Sequence, residues 1–207
     1  MEEVKLNIKI DGQRLKHVTN FKYLGSIISE DGRNLVDIKT RIELAKQAFN
    51  NTKVLLTKQM KKPLRKRMIR TLVWPVALYG CETWTLRKVE VDKLEASEMW
   101  LWRQMEGISW RDKIGNEEVL KRVDENKCLM KTVYKRRKNW IGHVIRGDGL
   151  LRDVLEERMM GKRVCGRPRI GMLDELMEGS FVKMNRRAET REAWKEFVPR
   201  TCRKAEH

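Results

Sequence analysis

The residue types that catalyse reactions are present in this 207-residue chain, but their spacing does not favour catalysis. Two-metal polymerase and nuclease chemistry needs clustered carboxylates that hold divalent ions about 4 Å apart. The acids are instead scattered through amphipathic segments, no two aspartates are adjacent, and no glycine-rich phosphate loop occurs. His17 lies in a predicted strand, His207 is the last residue, and His143 lies in a basic helix, where a helix-face position is favoured over a general base. We therefore expect no catalytic residue and no cofactor.

The thiols and imidazoles do not form a recognisable metal site either. Candidate zinc ligands are Cys81, Cys128, His143, Cys165 and Cys202. Structural zinc sites usually pair ligands two to four residues apart, and no such pair occurs, so we expect no metal. Separated cysteines are typical of reduced thiols in the nucleus or cytoplasm. With no signal-peptide pattern at the start and no run of about 18 apolar residues, we expect a nuclear or cytoplasmic protein that is neither secreted nor membrane-bound.

The clearest bulk signal is a net charge of +17 that is concentrated in two segments. The first basic block, residues 53–70, holds eight Lys and Arg and no acid; the second, residues 127–169, holds thirteen against four acids. The remainder of the chain is neutral. Charge placed in this way predicts contacts with the phosphates of RNA and/or DNA, and two solvated basic helices are the alternative.

The predicted phosphate contacts in the first block are Lys53, Lys58, Lys61, Lys62, Arg65, Lys66, Arg67 and Arg70. Those in the second block are Lys131, Lys135, Arg136, Arg137, Lys138, Lys162, Arg163, Arg167 and Arg169. Residues 166–169 (Gly-Arg-Pro-Arg) are similar to hooks that enter the minor groove, and a basic loop between helices is the favoured alternative.

Strands are predicted only near the start of the chain. Apolar and polar residues alternate from Val4 to Ile10, and Asp11-Gly12 is a tight-turn pair that returns the chain as a second strand over residues 13–18. A third strand is predicted over residues 21–28. The result is a small antiparallel sheet of about three strands before residue 33.

Helical periodicity begins at residue 35. Apolar residues at 38, 42, 45 and 49 form one stripe of a helix expected to run to about residue 57. Pro63 suits the first turn of a second helix, and Pro75 is expected to kink or end it. A third helix after residue 85 is expected to bury Leu94, Leu101 and Met105 and to stop near Gly107. Five of the seven tryptophans lie between residues 72 and 110, which predicts the centre of the core there.

Basic helices are predicted beyond residue 110. Asn116 is a good helix start, and a long helix over residues 129–146 is expected to point Lys131, Lys135, Arg136 and Lys138 outward. Further helical segments are expected over residues 150–159, around 172 and over 188–197. The fold class is therefore mainly α, with a sheet unit (1–33), a helical unit with an aromatic core (34–110) and a basic helical extension (111–207).

An ordered set of motifs resembles the C-terminal part of non-LTR retrotransposon (LINE-type) reverse transcriptases. The set comprises residues 21–25 (Phe-Lys-Tyr-Leu-Gly), 26–32, 74–75, 78–84, 108–110, 116–120, 140–144, 166–169 and 188–194. No single piece is decisive, but the order and spacing fit along nearly the whole chain.

The resemblance implies roles for these segments. Phe21, Lys22, Tyr23, Leu24 and Gly25 resemble the primer-grip hairpin of the palm–thumb junction. The helices that follow are similar to the thumb, which holds a template–primer duplex, and the region after Trp74 is similar to the C-terminal extension thought to handle nucleic acid. The fingers and the catalytic palm acids have no counterpart, so no RNA-directed DNA polymerase activity is expected from the chain alone.

The expectation is therefore a non-catalytic fragment of a transposable-element reverse transcriptase that binds nucleic acid. One alternative is a helical protein–protein interaction module, which exposed tryptophans at positions 84, 100 or 102 would favour. Another is a degenerate fragment with no selected function.

Overall fold

A computed structural model describes residues 8–57, 59–156, 171–174, 176–177 and 180–197. The strands are β1 (Lys9–Ile10), β2 (Gln13–Arg14), β3 (Asn20–Tyr23) and β4 (Ser26–Ser29). The helices are α1 (Leu35–Thr52), α2 (Lys62–Met68), α3 (Trp74–Ala77), α4 (Lys88–Glu106), α5 (Asn116–Val123), α6 (Leu129–Ile145), α7 (Leu150–Glu156), α8 (Phe181–Glu189) and α9 (Arg191–Glu196). The mainly helical class with a small N-terminal antiparallel β region is confirmed. No helix in the described part of the chain is both long and apolar enough to cross a membrane.

The N-terminal strands form two separate hairpins rather than one three-stranded sheet. β1 pairs with β2, and β3 pairs with β4 with Phe21 opposite Ile28. The predicted Asp11-Gly12 turn is confirmed. The prediction of one strand over residues 21–28 is wrong, because Leu24 and Gly25 both have positive φ (45° and 88°) and reverse the chain between β3 and β4. Positive φ at both central residues is the geometry that matches the twist of a two-residue hairpin.

The predicted apolar stripe of α1 faces the main core. Ile38, Ile42, Ala45 and Phe49 are all buried. The helix ends at Thr52, about one turn before the predicted end. The predicted buried face of α4 is also confirmed, and α4 ends where Gly107 adopts a left-handed conformation (φ 71°).

Pro75 does not end its helix. A π-helical segment, Ile69–Val73, lies between α2 and α3, and the Trp74 N–H donates to the Ile69 carbonyl five residues back. Proline lacks the N–H that an α-helix uses and clashes with the carbonyl four residues earlier. The wider turn just before Pro75 accommodates the proline, and the chain stays helical through Ala77.

The main core is built on the predicted tryptophan-rich segment. Trp84 and Trp102 are fully buried, and the rings of Trp74 and Trp102 meet edge to face with centroids 6.3 Å apart. This cluster extends beyond residue 110 to include α5 and the first half of α6 as far as Val133. The division of the chain at residue 110 stays a prediction.

A second, smaller core lies on the other half of α6. Ile141 and Ile145 pack with residues of α8 and α9, including Trp194. Gly142 makes this possible, because a Cβ atom there would lie 2.1 Å from Trp194 Nε1. The indole N–H of Trp194 donates to the Lys138 carbonyl at 3.0 Å. α6 therefore belongs to both cores.

Candidate nucleic-acid interface

Two basic residues of the first block, Arg65 and Lys62, connect α2 to the C-terminal end of α4 by hydrogen bonds and ion pairs. Arg65 is only 6% exposed; its Nη1 donates to the Met105 carbonyl at 2.9 Å, and its Nη2 lies 3.5 Å from Glu106 Oε1. Lys62 Nζ lies 3.7 Å from Glu106 and donates to the Arg122 carbonyl at 3.0 Å. A helix C-terminus carries unpaired carbonyls and partial negative charge, which cations stabilise. Arg65 therefore acts within the fold.

Two further cations of the first block stabilise the end of α5. Lys66 Nζ donates to the carbonyls of Val123 at 3.1 Å and Asp124 at 3.0 Å, and it lies 3.2 Å from Glu125. Arg70 pairs with the same carboxylate at 2.7 Å. The block contains no acid in sequence, but α4 and α5 bring Glu106 and Glu125 to it in space. Its local charge is accordingly lower than the sequence indicates.

Three basic residues of the first block form no ion pair within the part of the chain that the structure describes. Lys53, Lys61 and Arg67 are exposed, and none of them has an acidic partner among the residues that the structure describes. Lys53 follows the last residue of α1, Lys61 precedes the first residue of α2, and Arg67 lies on α2.

The second block divides in the same way along α6. Arg137 is 2% exposed and donates to the Trp84 carbonyl. Lys138 is also buried; its Nζ donates to the Lys195 carbonyl at 3.2 Å and to the Phe197 carbonyl. The prediction that Lys138 points outward is wrong, because the helices after residue 180 pack on that face of α6 and cover it.

The outward face of α6 retains two basic side chains. Lys131 is half-buried and Lys135 is exposed, and at a spacing of four residues they lie on one face of the helix. Arg136 lies beside them but donates to the Leu78 carbonyl at 3.1 Å and lies 4.0 Å from Glu82. The other predicted contacts, Lys58, Lys162, Arg163, Arg167 and Arg169, lie outside the described residues.

The segment that resembles a primer grip is a hairpin attached through its turn to the helical core. Arg41 on α1 donates to the Gly25 carbonyl, and the Tyr79 hydroxyl donates to the Leu24 carbonyl at 2.8 Å. The Arg41 guanidinium carbon lies 4.3 Å from the centre of the Tyr79 ring. The conformation of the turn, which is unfavourable for Leu24, is thus fixed by α1 and by the turn that follows α3.

Asp37, at 3% exposure, is the centre of this attachment. Its Oδ1 accepts the N–H of Ile27 on β4 at 2.9 Å, and its Oδ2 accepts the Trp84 indole N–H at 3.0 Å. Arg41 Nε lies 3.9 Å from the same carboxylate. Asp37 is not among the predicted site residues, although an acid beside Ile38 in the apolar stripe of α1 is a usable signal in the sequence.

The outer face of the hairpin is apolar and open to solvent. Phe21, Tyr23 and Ile28 are more than half exposed, and the rings of Phe21 and Tyr23 stack with centroids 6.5 Å apart. Lys22 alternates with them on β3 and is also exposed. The tryptophans considered as a possible protein-binding surface are not available, since Trp84 and Trp102 are buried and Trp100 is half-buried.

The two described thiols are unreactive in character. Burial raises the pKa of Cys81 to about 11. Burial, with the nearby Glu98 carboxylate, raises the pKa of Cys128 to about 12. Within the described ranges, no three His, Cys, Asp or Glu side chains are grouped closely enough to hold a metal ion. His143 is exposed on α6.

Glu98 on α4 positions the start of α6. Its carboxylate accepts the N–H of Cys128 at 3.0 Å and of Leu129 at 3.2 Å, two donors that the first turn of a helix leaves unpaired. Burial raises the pKa of Glu98, and these hydrogen bonds oppose the rise. The orientation of Lys131 and Lys135 therefore depends on a buried acid of another helix.

Comparison with known proteins gives one informative similarity. The chain is 27% identical over 169 residues to a Caenorhabditis elegans protein named as uncharacterized and transposon-derived. The match covers 79% of this chain and 61% of the relative, so the chain spans about three fifths of the length of that protein. No family model and no solved structure matches the chain.

Proposed function

We propose that this chain is a non-catalytic, transposon-derived part of a non-LTR retrotransposon-type reverse transcriptase, corresponding to its thumb and post-thumb region, and that it binds nucleic acid through phosphates. The similarity to a transposon-derived protein supports the origin, and the ordered motifs support the more specific assignment. The observation that carries the binding proposal is a set of predicted contact residues that have no acidic partner among the residues that the structure describes. These are Lys53, Lys61, Arg67, Lys131 and Lys135, hereafter the free cations.

Contacts of this kind give affinity without sequence preference. Each neutralised phosphate releases condensed counterions, so the logarithm of the binding constant falls with the logarithm of the salt concentration, with a slope of about −0.9 per contact. For about five contacts, affinity falls on the order of several hundredfold between 50 and 200 mM salt. RNA and DNA duplexes both present such phosphates.

The test replaces free cations and measures the salt dependence. Lys61→Ala/Arg67→Ala and Lys131→Ala/Lys135→Ala are each titrated against labelled RNA–DNA and DNA–DNA duplexes of several sequences. Each double variant is expected to bind all sequences more weakly to the same degree and to reduce the slope by about 2. The matched control, Lys39→Ala/Lys88→Ala, removes the same charge from exposed positions outside both blocks. It is expected to show the same salt dependence of binding as the parent chain.

Arg65→Ala and Arg137→Ala provide the opposite control. Both side chains are buried and bonded to carbonyls, so their loss is expected to lower the free energy of unfolding. If both double variants bind with the parent's affinity and slope, the free cations do not contact phosphate and the proposal fails.

A protein–protein interaction module is the second candidate, favoured by the exposed apolar face of the hairpin. Phe21→Ser/Ile28→Ser removes that face without touching the attachment at Asp37. Under this reading the double variant loses a protein partner or self-association while the free-cation variants keep it. Unchanged association, measured by analytical ultracentrifugation and by capture of partners, argues against the module.

A further inference from the structure

An open cleft of about 870 Å³ lies between the C-terminal end of α1, the second half of α4 and the segment 107–114. Its lining combines aromatic, basic and hydrogen-bonding side chains, namely Lys53, Trp100, Arg103, Gln104, Ser109, Trp110 and Lys113. Binding sites for small organic groups commonly occupy about 300–1,000 Å³. The cleft is therefore large enough for a nucleotide.

Trp110 projects from the rim of this cleft and is 83% exposed. It begins a short 3₁₀ turn in which Ser109 and Asp112 bond to each other: the Ser109 N–H donates to the Asp112 carboxylate at 2.7 Å, and the Asp112 N–H donates to the Ser109 carbonyl at 3.2 Å. The Ser109 hydroxyl also accepts the Arg111 N–H at 3.3 Å. The indole is thus presented by a turn with fixed backbone bonds.

The same segment is anchored to α4 on both sides of Trp110. Ile108 is buried, and its N–H donates to the Arg103 carbonyl at 2.9 Å. The Arg103 side chain in turn donates to the Ile114 carbonyl at 3.0 Å. The backbone that carries Trp110 is therefore fixed, and a tryptophan side chain has only two rotatable bonds, so stacking on its indole costs little conformational entropy.

The electrostatics of the cleft favour an anionic ligand. Lys53, Arg103 and Lys113 line it, and none of the described lining residues is acidic. Glu106, the acid of α4 closest in sequence to Arg103, faces α2 and pairs with Lys62 and Arg65. Cations beside an exposed indole are the combination that single-stranded nucleic acids use, with bases stacked on the ring and phosphates on the cations.

We propose that this cleft binds an unpaired nucleotide of a single-stranded segment, with its base stacked on Trp110 and adjacent phosphates at Lys53 and Lys113. Within a duplex, neighbouring base pairs stack on each other and cover the faces of the bases, whereas an unpaired base of a single strand can turn a face to a projecting indole. The inference rests on the proposed function, and Lys53 connects the two because it is both a free cation and a cleft residue. It adds a binding mode that the phosphate contacts alone do not provide.

The test compares single strands with duplexes. Parent and Trp110→Ala are titrated by fluorescence anisotropy with labelled dT12, rU12 and a blunt 12-base-pair DNA duplex. Loss of one stacked base is expected to weaken single-strand binding by about 5- to 150-fold and to leave the blunt duplex unchanged. Trp110→Phe is expected to keep most of the single-strand affinity, and Leu150→Ala, which truncates another exposed apolar side chain, is expected to keep all of it.

A second readout reports stacking directly. A dT12 strand carrying one central 2-aminopurine is expected to lose fluorescence on binding to the parent chain and to lose much less with Trp110→Ala. If Trp110→Ala binds dT12 and rU12 as the parent does, or if Trp110→Phe is as impaired as Trp110→Ala, the inference is overturned. When duplex binding and its salt slope persist in that case, the proposed function survives; when the parent binds no nucleic acid at all, both fail.

Discussion

Asp37 is the residue whose removal tests the architecture most sharply. Its carboxylate accepts hydrogen bonds from Trp84 and Ile27 and lies near the Arg41 guanidinium; Asp37, Trp84 and Arg41 are buried. Asp37→Ala leaves two donors and one cation without their acceptor. The variant therefore removes the bonds through which one side chain joins the hairpin, α1 and the tryptophan core, while the bonds of Arg41 and Tyr79 to the hairpin turn remain.

The magnitude follows from the number of bonds lost. A hydrogen bond to a charged group contributes about 1.5–3 kcal/mol, and breaking a buried charge pair costs about 3–5 kcal/mol. The Asp37–Arg41 distance of 3.9 Å is long, so the sum is not simply additive, and we expect Asp37→Ala to lower the free energy of unfolding by about 3–5 kcal/mol. Asp37→Asn keeps one acceptor oxygen but turns its amide towards donors, and about 2–3 kcal/mol is expected.

Urea unfolding followed by tryptophan fluorescence measures the effect, with far-ultraviolet circular dichroism as a second probe of two-state behaviour. For a slope of about 2 kcal/mol per molar urea, the midpoint of Asp37→Ala is expected to fall by roughly 1.5–2.5 M. The exposed Asp92 supplies the control, and Asp92→Ala is expected to change stability by less than about 0.5 kcal/mol. A stability loss for Asp37→Ala no larger than that of Asp92→Ala would refute the reasoning.

The remaining predictions concern packing, titration and activity. Gly142→Ala is expected to destabilise the chain by about 1–3 kcal/mol and to raise the exposure of Trp194 to acrylamide, because the added methyl group overlaps the indole. Burial raises the folded-state pKa of Glu98 above its ordinary value of 4.5, so the folded chain holds this proton to a higher pH than the unfolded chain does. The free energy of unfolding of the parent, relative to that of Glu98→Gln, is therefore expected to fall as the pH rises from about 4.5 through the folded-state pKa, and then to level off. Urea midpoints of both proteins at several pH values measure this difference. In a variant whose other two cysteines are replaced by serine, the buried Cys81 is expected to react with a thiol reagent only as fast as the chain unfolds. The half-buried Cys128 is expected to react slowly in the folded chain, because its pKa of about 12 keeps the thiol protonated at neutral pH; a native reaction as fast as that of an unfolded thiol would contradict this. The purified chain is expected to extend no primer on an RNA template with Mg²⁺ or Mn²⁺, and template-dependent synthesis would contradict the non-catalytic assignment.

Local signals in the sequence predicted the elements that depend on local physics. The stripe from Ile38 to Phe49, the stop at Gly107 and the Asp11-Gly12 turn each follow from side-chain periodicity or backbone freedom, and the structure has all three. The Leu24-Gly25 turn was missed because the aromatic and β-branched residues on both sides of it are typical of one continuous strand. Its positive φ is maintained by Tyr79 and by the Arg41 side chain, which are remote in sequence.

The candidate site was harder to predict because a basic side chain looks the same in sequence whether it faces phosphate or protein. Arg65, Arg137 and Lys138 bond to carbonyls 40, 53 and 57 or more residues away. Long basic side chains can also bury their aliphatic stems, so a cation at a helix position does not establish that the position is exposed. Only the packing of α4, of the Trp84 segment and of α9 against these residues separates them from the free cations.

The sharing of α6 between two cores has a mechanical consequence. A helix of 17 residues at 1.5 Å per residue is a rod about 25 Å long. Its first half packs in the tryptophan-rich core, and its second half packs against Trp194. Torque or displacement applied at the C-terminal cluster is therefore carried along the rod to the main core and not absorbed by a linker. A chain cut after residue 110 would likewise leave the main core open along the face that this rod normally closes.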